Sequence, residues 1–449
     1  MKSVSIIMPL FNAEKFLAEA LQSILNQTYK NFELICINDC STDHTRSILN
    51  NFQNQDERIK VLDNKEHLGA AISRNRGLDV AEGEYVSFLD GDDIFEEELI
   101  EKSYDTIVKY DADIVIFEYT HVPSDTIYNK RLKERPDTFY ETYCDTVFCI
   151  RDFKPRDFPN WSDSPCDKLY RKRFIEDNKL EFQNLTSFND IYFAKMALFS
   201  AKRIVCLNDK RIMVYARDHF ETSRISSDRN PMCAYYAMEK LARTLQERNM
   251  MEDYAEYLYY AIAIKFWYVL VYRKEERRNE NFYKFLHEEG IAKCIEYGKE
   301  FYDRIDIYDK YIIENFRNKT YDSRWFDHLE TYFEFYLKHN GQILRKFIQD
   351  KLQQDKKIII WGIGNNGTSL LRYLNEYSIK IYAAVDYSEE KQETVVCGYE
   401  VLRPDEICKK ADYILAVGRL VYLHAENMTR DSDTSLINVF ELLTENTGV

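Results

Sequence analysis

The segment Asp90-Gly91-Asp92-Asp93 places three carboxylates within four residues, directly after the apolar run Tyr85-Val86-Ser87-Phe88-Leu89. Like charges at that spacing repel unless something positive sits among them. Oxygen ligands of this kind suit Mg²⁺ or Mn²⁺, either of which can also hold a diphosphate. Gly91 lets the backbone turn so that Asp90 and Asp92 can serve different ligands. An acidic turn ahead of a helix is the competing reading, because Glu96, Glu97 and Glu98 follow. A second acidic loop, Asn38-Asp39-Cys40-Ser41-Thr42-Asp43, offers Asp39 as an acceptor for a base N–H, with Ser41 or Thr42 capping the next helix. Between the two loops, Gly69 to Gly77 carries Arg74 and Arg76 on a small-residue helix. Arginine is suited to phosphate oxygens.

Such loops need elements to position them. Val4 to Met8, Phe32 to Ile37, Ile59 to Leu62 and Tyr85 to Leu89 read as buried strands. Between the first two, Phe16, Leu17, Ala20, Leu21, Ile24 and Leu25 recur at helical spacing, with Asn12 as the N-cap. This alternation predicts an α/β domain over residues 1–230, a mostly parallel sheet with helices on both faces. Ligands of such sheets bind beyond the carboxyl ends of the strands. Residues 231–350 hold no proline after Pro231 and only three glycines, and Met238, Leu241 and Leu245 at i, i+3 and i+7 predict helices.

From 355 to 449 the alternation returns, with strands expected at 357–361, 379–385 and 413–417 in a small Rossmann-like domain. Gly362-x-Gly364-x-x-Gly367 opens a helix expected to end near Tyr377 and fits a phosphate cradle. Asp386 falls where the ribose-binding acid of a dinucleotide such as NAD would lie. The same glycines are also needed merely to turn tightly from strand to helix, and that reading stands beside the nucleotide one.

Composition excludes several classes. With 449 residues, 45% hydrophobic and 31% charged, the chain reads as a soluble protein of two or three domains. A net charge of −15 argues against a nucleic-acid binder, which needs clustered Lys and Arg. The 34 Tyr and 27 Phe read mainly as helical core, with sugar-stacking platforms among them. Ten cysteines without C-x-x-C spacing indicate neither a disulfide framework nor a zinc site, and point to a reducing cytoplasm. The N-terminal apolar run stops at Pro9 and reads as a strand, not a signal peptide. Tyr257 to Tyr272 is interrupted by Lys265 and is too short for a bilayer. With Arg273, Lys274, Arg277 and Arg278 after it, it could rest peripherally on the inner face of a membrane, although a buried helix with a charged end competes.

Four motifs, Ser5-Ile6-Ile7-Met8-Pro9-Leu10-Phe11-Asn12, Ile37 to Asp43, Ser73-Arg74-Asn75-Arg76-Gly77 and Phe88 to Asp93, occur in an order and spacing that resemble family 2 glycosyltransferases. The resemblance covers about the first 100 residues and continues more faintly to about 225. It implies a GT-A fold, a nucleotide-sugar donor, most commonly a UDP-sugar, and inversion at the anomeric carbon. By position, Pro9, Phe11 and Asn12 would line the base and ribose pocket, and Asp39 would meet the base. Arg74 would approach the nucleotide, Asp90 the ribose hydroxyls, and Asp92 would hold the metal that bridges the diphosphate.

Direct inversion needs a carboxylate on the acceptor side to take the hydroxyl proton. In Ser187-Phe188-Asn189-Asp190-Ile191-Tyr192-Phe193 the resemblance assigns this role to Asp190, with Asp190 as a mere N-cap the competing reading. Asn189 departs from the family's usual Glu and keeps an acceptor without the charge. Asp167-Lys168-Leu169-Tyr170-Arg171, with Trp161 and Asp163 nearby, resembles the segment leading into the acceptor side. Tyr215-Ala216-Arg217-Asp218-His219 with Ser223 and Arg224 resembles a loop that closes over the donor phosphates, where His219 could be a further metal or phosphate contact or a lone surface histidine. Arg324-Trp325 lacks the glutamine and membrane helices of processive members, so a single addition is expected. The last domain is similar to small modules that follow such transferases in bacterial surface-polysaccharide clusters, where assembly through it or through the helical region is one expectation and nucleotide sensing another. A glycan or lipid-linked acceptor is expected. Two alternatives remain: a donor-binding scaffold that has lost its base, for which Asn189 speaks, and a bifunctional enzyme with an NAD-binding C-terminal domain.

Overall fold

The computed structural model describes residues 3–123, 144–153, 155, 163–207, 213–218, 230, 232–272, 280–304, 310–311, 313–314, 332–388, 391–392, 394–404, 410–417, 425, 429 and 433–444. Trp161, His219, Ser223, Arg224, the basic residues at 273–278 and Arg324-Trp325 lie outside them. The chain divides into two compact units, Met1–Ile305 with Asp309–Ser323, and Asp306–Tyr308 with Arg324–Val449.

In the first unit the strands are β1 (Val4–Leu10), β2 (Phe32–Asn38), β3 (Ile59–Asp63), β4 (Tyr85–Phe88), β5 (Ile94–Phe95), β6 (Ile114–Ile116), β7 (Glu118–Pro123), β8 (Lys168–Arg171), β9 (Ile204–Cys206) and β10 (Met213–Asp218). The helices are α1 (Leu17–Leu25), α2 (Thr45–Gln53), α3 (Ala70–Val80), α4 (Leu99–Lys109), α5 (Lys172–Asp177), α6 (Ile191–Ser200), α7 (Met232–Glu247) and α8 (Met251–Tyr272). A seven-stranded sheet runs β3-β2-β1-β4-β8-β6-β9, and a smaller one β5-β10-β7. β1 to β4 are parallel neighbours, whereas β8 is antiparallel to both β4 and β6. The mixed sheet matches the expected α/β class of a GT-A-like fold.

β1 and β2 are buried on both faces, which is why they read as almost unbroken apolar runs. Glu33, the one charged residue among them, is met by Ser5 Oγ at 2.6 Å, the Glu82 N–H at 2.7 Å and Lys60 Nζ at 2.8 Å. On α1, Leu17, Ala20, Leu21 and Ile24 form one buried stripe, each leucine or isoleucine contributing roughly 1.5–3 kcal/mol of apolar burial. Met238, Leu241 and Leu245 are likewise buried on α7, as their spacing predicts.

Two capping expectations do not hold. Phe16, not Asn12, occupies the N-cap position of α1. Asn12 instead takes a left-handed backbone, φ 49°, and its side-chain oxygen accepts from the Thr42 N–H at 2.9 Å. Neither Ser41 nor Thr42 caps α2; Asp43 Oδ1 accepts from the Thr45 N–H at 2.9 Å, and Ser41 Oγ accepts from the Asn12 N–H. Side chains of both loops are spent on holding the loops together rather than on the helices after them.

The second unit contains the helix Tyr332–Leu352 and the strands β11 (Ile358–Trp361), β12 (Ala383–Val385), β13 (Val395–Val396), β14 (Tyr399–Leu402), β15 (Tyr413–Ala416) and β16 (Ser435–Asn438). They form one sheet ordered β13-β14-β12-β11-β15-β16, all parallel except β13. The direction of winding reverses between β11 and β15, where ligands of open parallel sheets bind. Among the described residues no helix is long and apolar enough to cross a membrane.

Candidate functional site

β1 and β2 lie side by side in register, Leu10 opposite Asn38, so their carboxyl ends deliver Phe11-Asn12 and Asp39-Cys40 to the same edge. The Asp39 N–H donates to the Leu10 carbonyl at 2.7 Å and locks the two exits together. Asp39 is 2% exposed, and its side chain gathers the loop between β3 and α3. Oδ1 accepts from Asn64 Nδ2 at 2.5 Å and the Leu68 N–H at 2.8 Å; Oδ2 accepts from the Gly69 N–H at 2.7 Å and lies 2.8 Å from His67 Nδ1. The His67 ring stacks on Phe11, centroids 3.9 Å apart and planes 30° from parallel.

Arg74 projects from α3 toward the end of β4. Its Nη2 donates to Asp90 Oδ1 at 2.8 Å and its Nη1 to Asn189 Oδ1 at 3.4 Å, while the guanidinium lies 5.3 Å from the centre of the Phe182 ring. Burial would lower its pKa, but the Asp90 and Asp190 carboxylates outweigh that and hold it above the ordinary arginine value. Carboxylate oxygens of Asp90, Asp92 and Asp93 lie within 4.8 Å of one another. Three hard oxygen donors at this spacing fit a divalent cation. Gly91 packs against the buried Leu10 side chain, where a Cβ would collide with Leu10 Cδ2.

The start of α6 meets these groups through Asn189. Asp190 holds its N-cap position, yet its carboxylate makes no capping hydrogen bond to the helix. Phe188 has φ 55°, a left-handed backbone that a bulky residue adopts only under constraint. With Asn12 and Cys40 (φ 60°), it is the third such residue in the loops of this site. A cleft of about 530 Å³ is lined by Pro9 to Phe11, Asp39, His67 to Ala70, Arg74 and Asp90 together with Ser164 to Cys166 and Asn184 to Asp190.

Of the expected acceptor-side residues, Asp163, Asp167 and Lys168 are not part of this lining. Asp163 bridges Lys195 Nζ at 2.8 Å and Lys265 Nζ at 2.6 Å. Burial would raise its pKa, but the two ammonium groups outweigh that and hold it below the usual carboxylate range. Burial also lowers the Lys195 pKa. Asp167 and Lys168 are buried and paired with each other, and Lys168 Nζ donates to the Ser164 carbonyl at 2.7 Å. Both therefore hold up the Ser164 to Cys166 wall without being part of the lining.

In the second unit, Gly362 has φ 98°, and Gly367 faces the Gly362 carbonyl oxygen too closely for any Cβ. Gly364 stands at the N-cap of the helix Asn365–Glu376. Asp386 Oδ2 accepts from the Ile363 N–H at 2.6 Å and Oδ1 from the Ser388 N–H at 2.9 Å, with Lys391 Nζ 3.5 Å away. The carboxylate thus braces the glycine turn.

Sequence reading missed His67, Ser164 to Cys166 and the strained Phe188. His67 follows Lys65-Glu66 in a polar loop with no periodicity, so nothing local sets it apart. The hydroxyl and thiol pair at Ser164 and Cys166, just before the buried Asp167, was a weak signal.

The family model described as "Glycosyl transferase family 2" matches residues 5–178, and one described as "C2185-like, N-terminal" matches residues 354–427. Glycosyltransferase GlyG of Streptococcus pneumoniae is 30% identical over 57% of this chain and 89% of its own length. The cholesterol galactosyltransferase of Borreliella burgdorferi is 27% identical over 71% of this chain and 94% of its own. A crystal structure of S. aureus TarS 1–349 in complex with UDP-GlcNAc superposes with a TM-score of 0.52 at 25% identity, covering 68% of this chain and 92% of that one.

Proposed function

The chain belongs to glycosyl transferase family 2, and on that premise we propose that it moves a sugar, with inversion, from a UDP-sugar to a hydroxyl of a glycan or lipid-linked acceptor in surface-polysaccharide synthesis. The observation that carries this reading is the single cleft that Asp39, Arg74, Asp90 and Asp190 line together.

Phe11 and Asp39 receive the base, and the ribose hydroxyls meet Asp90, whose carboxylate Arg74 holds in place. A divalent cation, Mn²⁺ or Mg²⁺, held chiefly by Asp92, offsets charge on the departing diphosphate when bound. Asp190 accepts the proton from the attacking hydroxyl as positive charge develops at the anomeric carbon. Asn189, where a second acid is usual, accepts from Arg74 at its side-chain oxygen and donates its amide to the Leu185 carbonyl at 3.3 Å, so it orients the guanidinium without adding charge beside the base. The UDP-GlcNAc held by TarS and the sterol named for the Borreliella relative support a uridine donor and room for a lipid-linked acceptor.

The test is nucleotide release from a panel of UDP-, GDP- and dTDP-sugars with Mn²⁺, Mg²⁺ or EDTA. One UDP-sugar should be hydrolysed slowly and only with metal. Binding of none of them, with metal present, would end the donor-site assignment.

A further inference from the structure

In the structure the Asp39 carboxylate is already saturated. An aspartate offers about four lone-pair positions, and Asn64, Leu68, Gly69 and His67 approach all of them. A base N–H can reach Asp39 only if one donor leaves. Two of the four are backbone groups at the start of α3, and Asn64 is 6% exposed and also bonded to Ser73 Oγ at 3.0 Å. His67 alone of the four is a side chain more than half exposed. It is also a flat heteroaromatic ring, stacked on Phe11, that presents a ring nitrogen to Asp39. Those are the two contacts that the donor reading gives to the base itself: a stack on Phe11 and an N–H aimed at Asp39.

We infer that His67 occupies the nucleobase subsite of the donor-free enzyme as an internal stand-in, and that the base enters by displacing it. The inference rests on the donor reading above, because it takes Phe11 and Asp39 as the base subsite. It makes His67 a determinant of donor affinity that acts by competition. A ligand-free cleft then keeps Phe11 covered on one face and Asp39 satisfied, and the base recovers only the difference between its own contacts and those of the imidazole. Removing the ring should therefore strengthen binding, the opposite of what removal of a direct ligand does. The gain is limited to a half-exposed imidazole–carboxylate contact and one ring contact, roughly three- to tenfold in Kd.

The experiment is calorimetric titration of the full chain with UDP plus Mn²⁺, and with uridine alone, for wild type, His67→Ala and His67→Phe. His67→Ala should bind both ligands three- to tenfold more tightly. His67→Phe, which keeps a ring on Phe11 but gives Asp39 nothing, should fall between. A readout that needs no substitution accompanies these: the ring-nitrogen shifts of His67 in the wild-type protein should move toward those of an exposed imidazole on adding uridine. Unchanged or weaker binding by His67→Ala, or His67 shifts that stay put while uridine binds, overturns the inference and leaves the donor reading standing. Failure of every form of the protein to bind UDP sinks both.

Discussion

Asp39→Asn exchanges one carboxylate oxygen for an amide NH₂ at nearly constant volume. The group it alters is 2% exposed and accepts from two backbone N–H groups, Leu68 and Gly69, one on each oxygen. Whichever way the amide turns, one of those N–H groups faces another donor. A hydrogen bond to a charged group contributes about 1.5–3 kcal/mol, and a buried N–H left unmet costs about 1–3 kcal/mol. The His67 contact is more than half exposed and adds only about 0–1 kcal/mol. One lost bond, with the others weakened to neutral strength, sets the expected loss at about 3 kcal/mol. Because Leu68 and Gly69 line the cleft, UDP binding should weaken at least tenfold in the same variant. Urea unfolding followed by circular dichroism measures the first quantity, and calorimetric titration the second. Wild-type stability would refute the buried bonds that organise residues 64–69. Lost stability with unchanged UDP affinity would refute the place of Asp39 in the donor subsite.

Asp163→Asn leaves the buried Lys195 beside Lys265 without the intervening charge and should cost about 2 kcal/mol at pH 7, discounted for partial exposure. A carboxyl whose folded pKa is depressed stabilises fully above its ordinary value of 3.8 and loses that contribution as the pH falls through the lowered one. The variant should accordingly lose less stability than wild type between pH 5 and the acid limit, as urea midpoints against pH would show. Gly367→Ala forces a Cβ onto the Gly362 carbonyl oxygen and should destabilise by about 1–3 kcal/mol, visible as a lower thermal midpoint of the full chain. Leu21→Ala, at a fully buried position of α1, should cost about 2–5 kcal/mol in the same assay.

Of the ten strands of the first unit, β1, β2 and β4 were legible because burial writes them as apolar runs. β3 was found too, although past Ile59 it is only half-buried, and β5 to β10 were not read. The acidic loops stood out because each follows such a run directly. Capping was not legible. Asn12 and Ser41 have the right side chains for helix starts, but their partners lie about 30 residues away, and no local pattern carries that. In the second unit the strand expected from 379 begins only at Ala383, and the β13–β14 hairpin escaped notice. Its turn is Cys397-Gly398, both at positive φ; asparagine or aspartate before the glycine would have announced it, cysteine does not. For the site, residue types close in sequence were found and walls assembled from afar were not. Arg74 reaches Asn189 across 115 positions, and His67 becomes notable only once Phe11 and Asp39 are seen beside it.

In the proposed mechanism Asp190 takes the acceptor proton while Asp39, Arg74 and Asp90 hold the donor. Steady-state transfer by Asp190→Asn with the donor identified in the panel tests it most directly, since the substitution keeps shape and removes only the base. The variant's kcat should fall about 10²–10⁴-fold with the donor Kd within about twofold of wild type. Retention of more than a tenth of wild-type kcat, with donor binding intact, would contradict it and move the base elsewhere in the cleft.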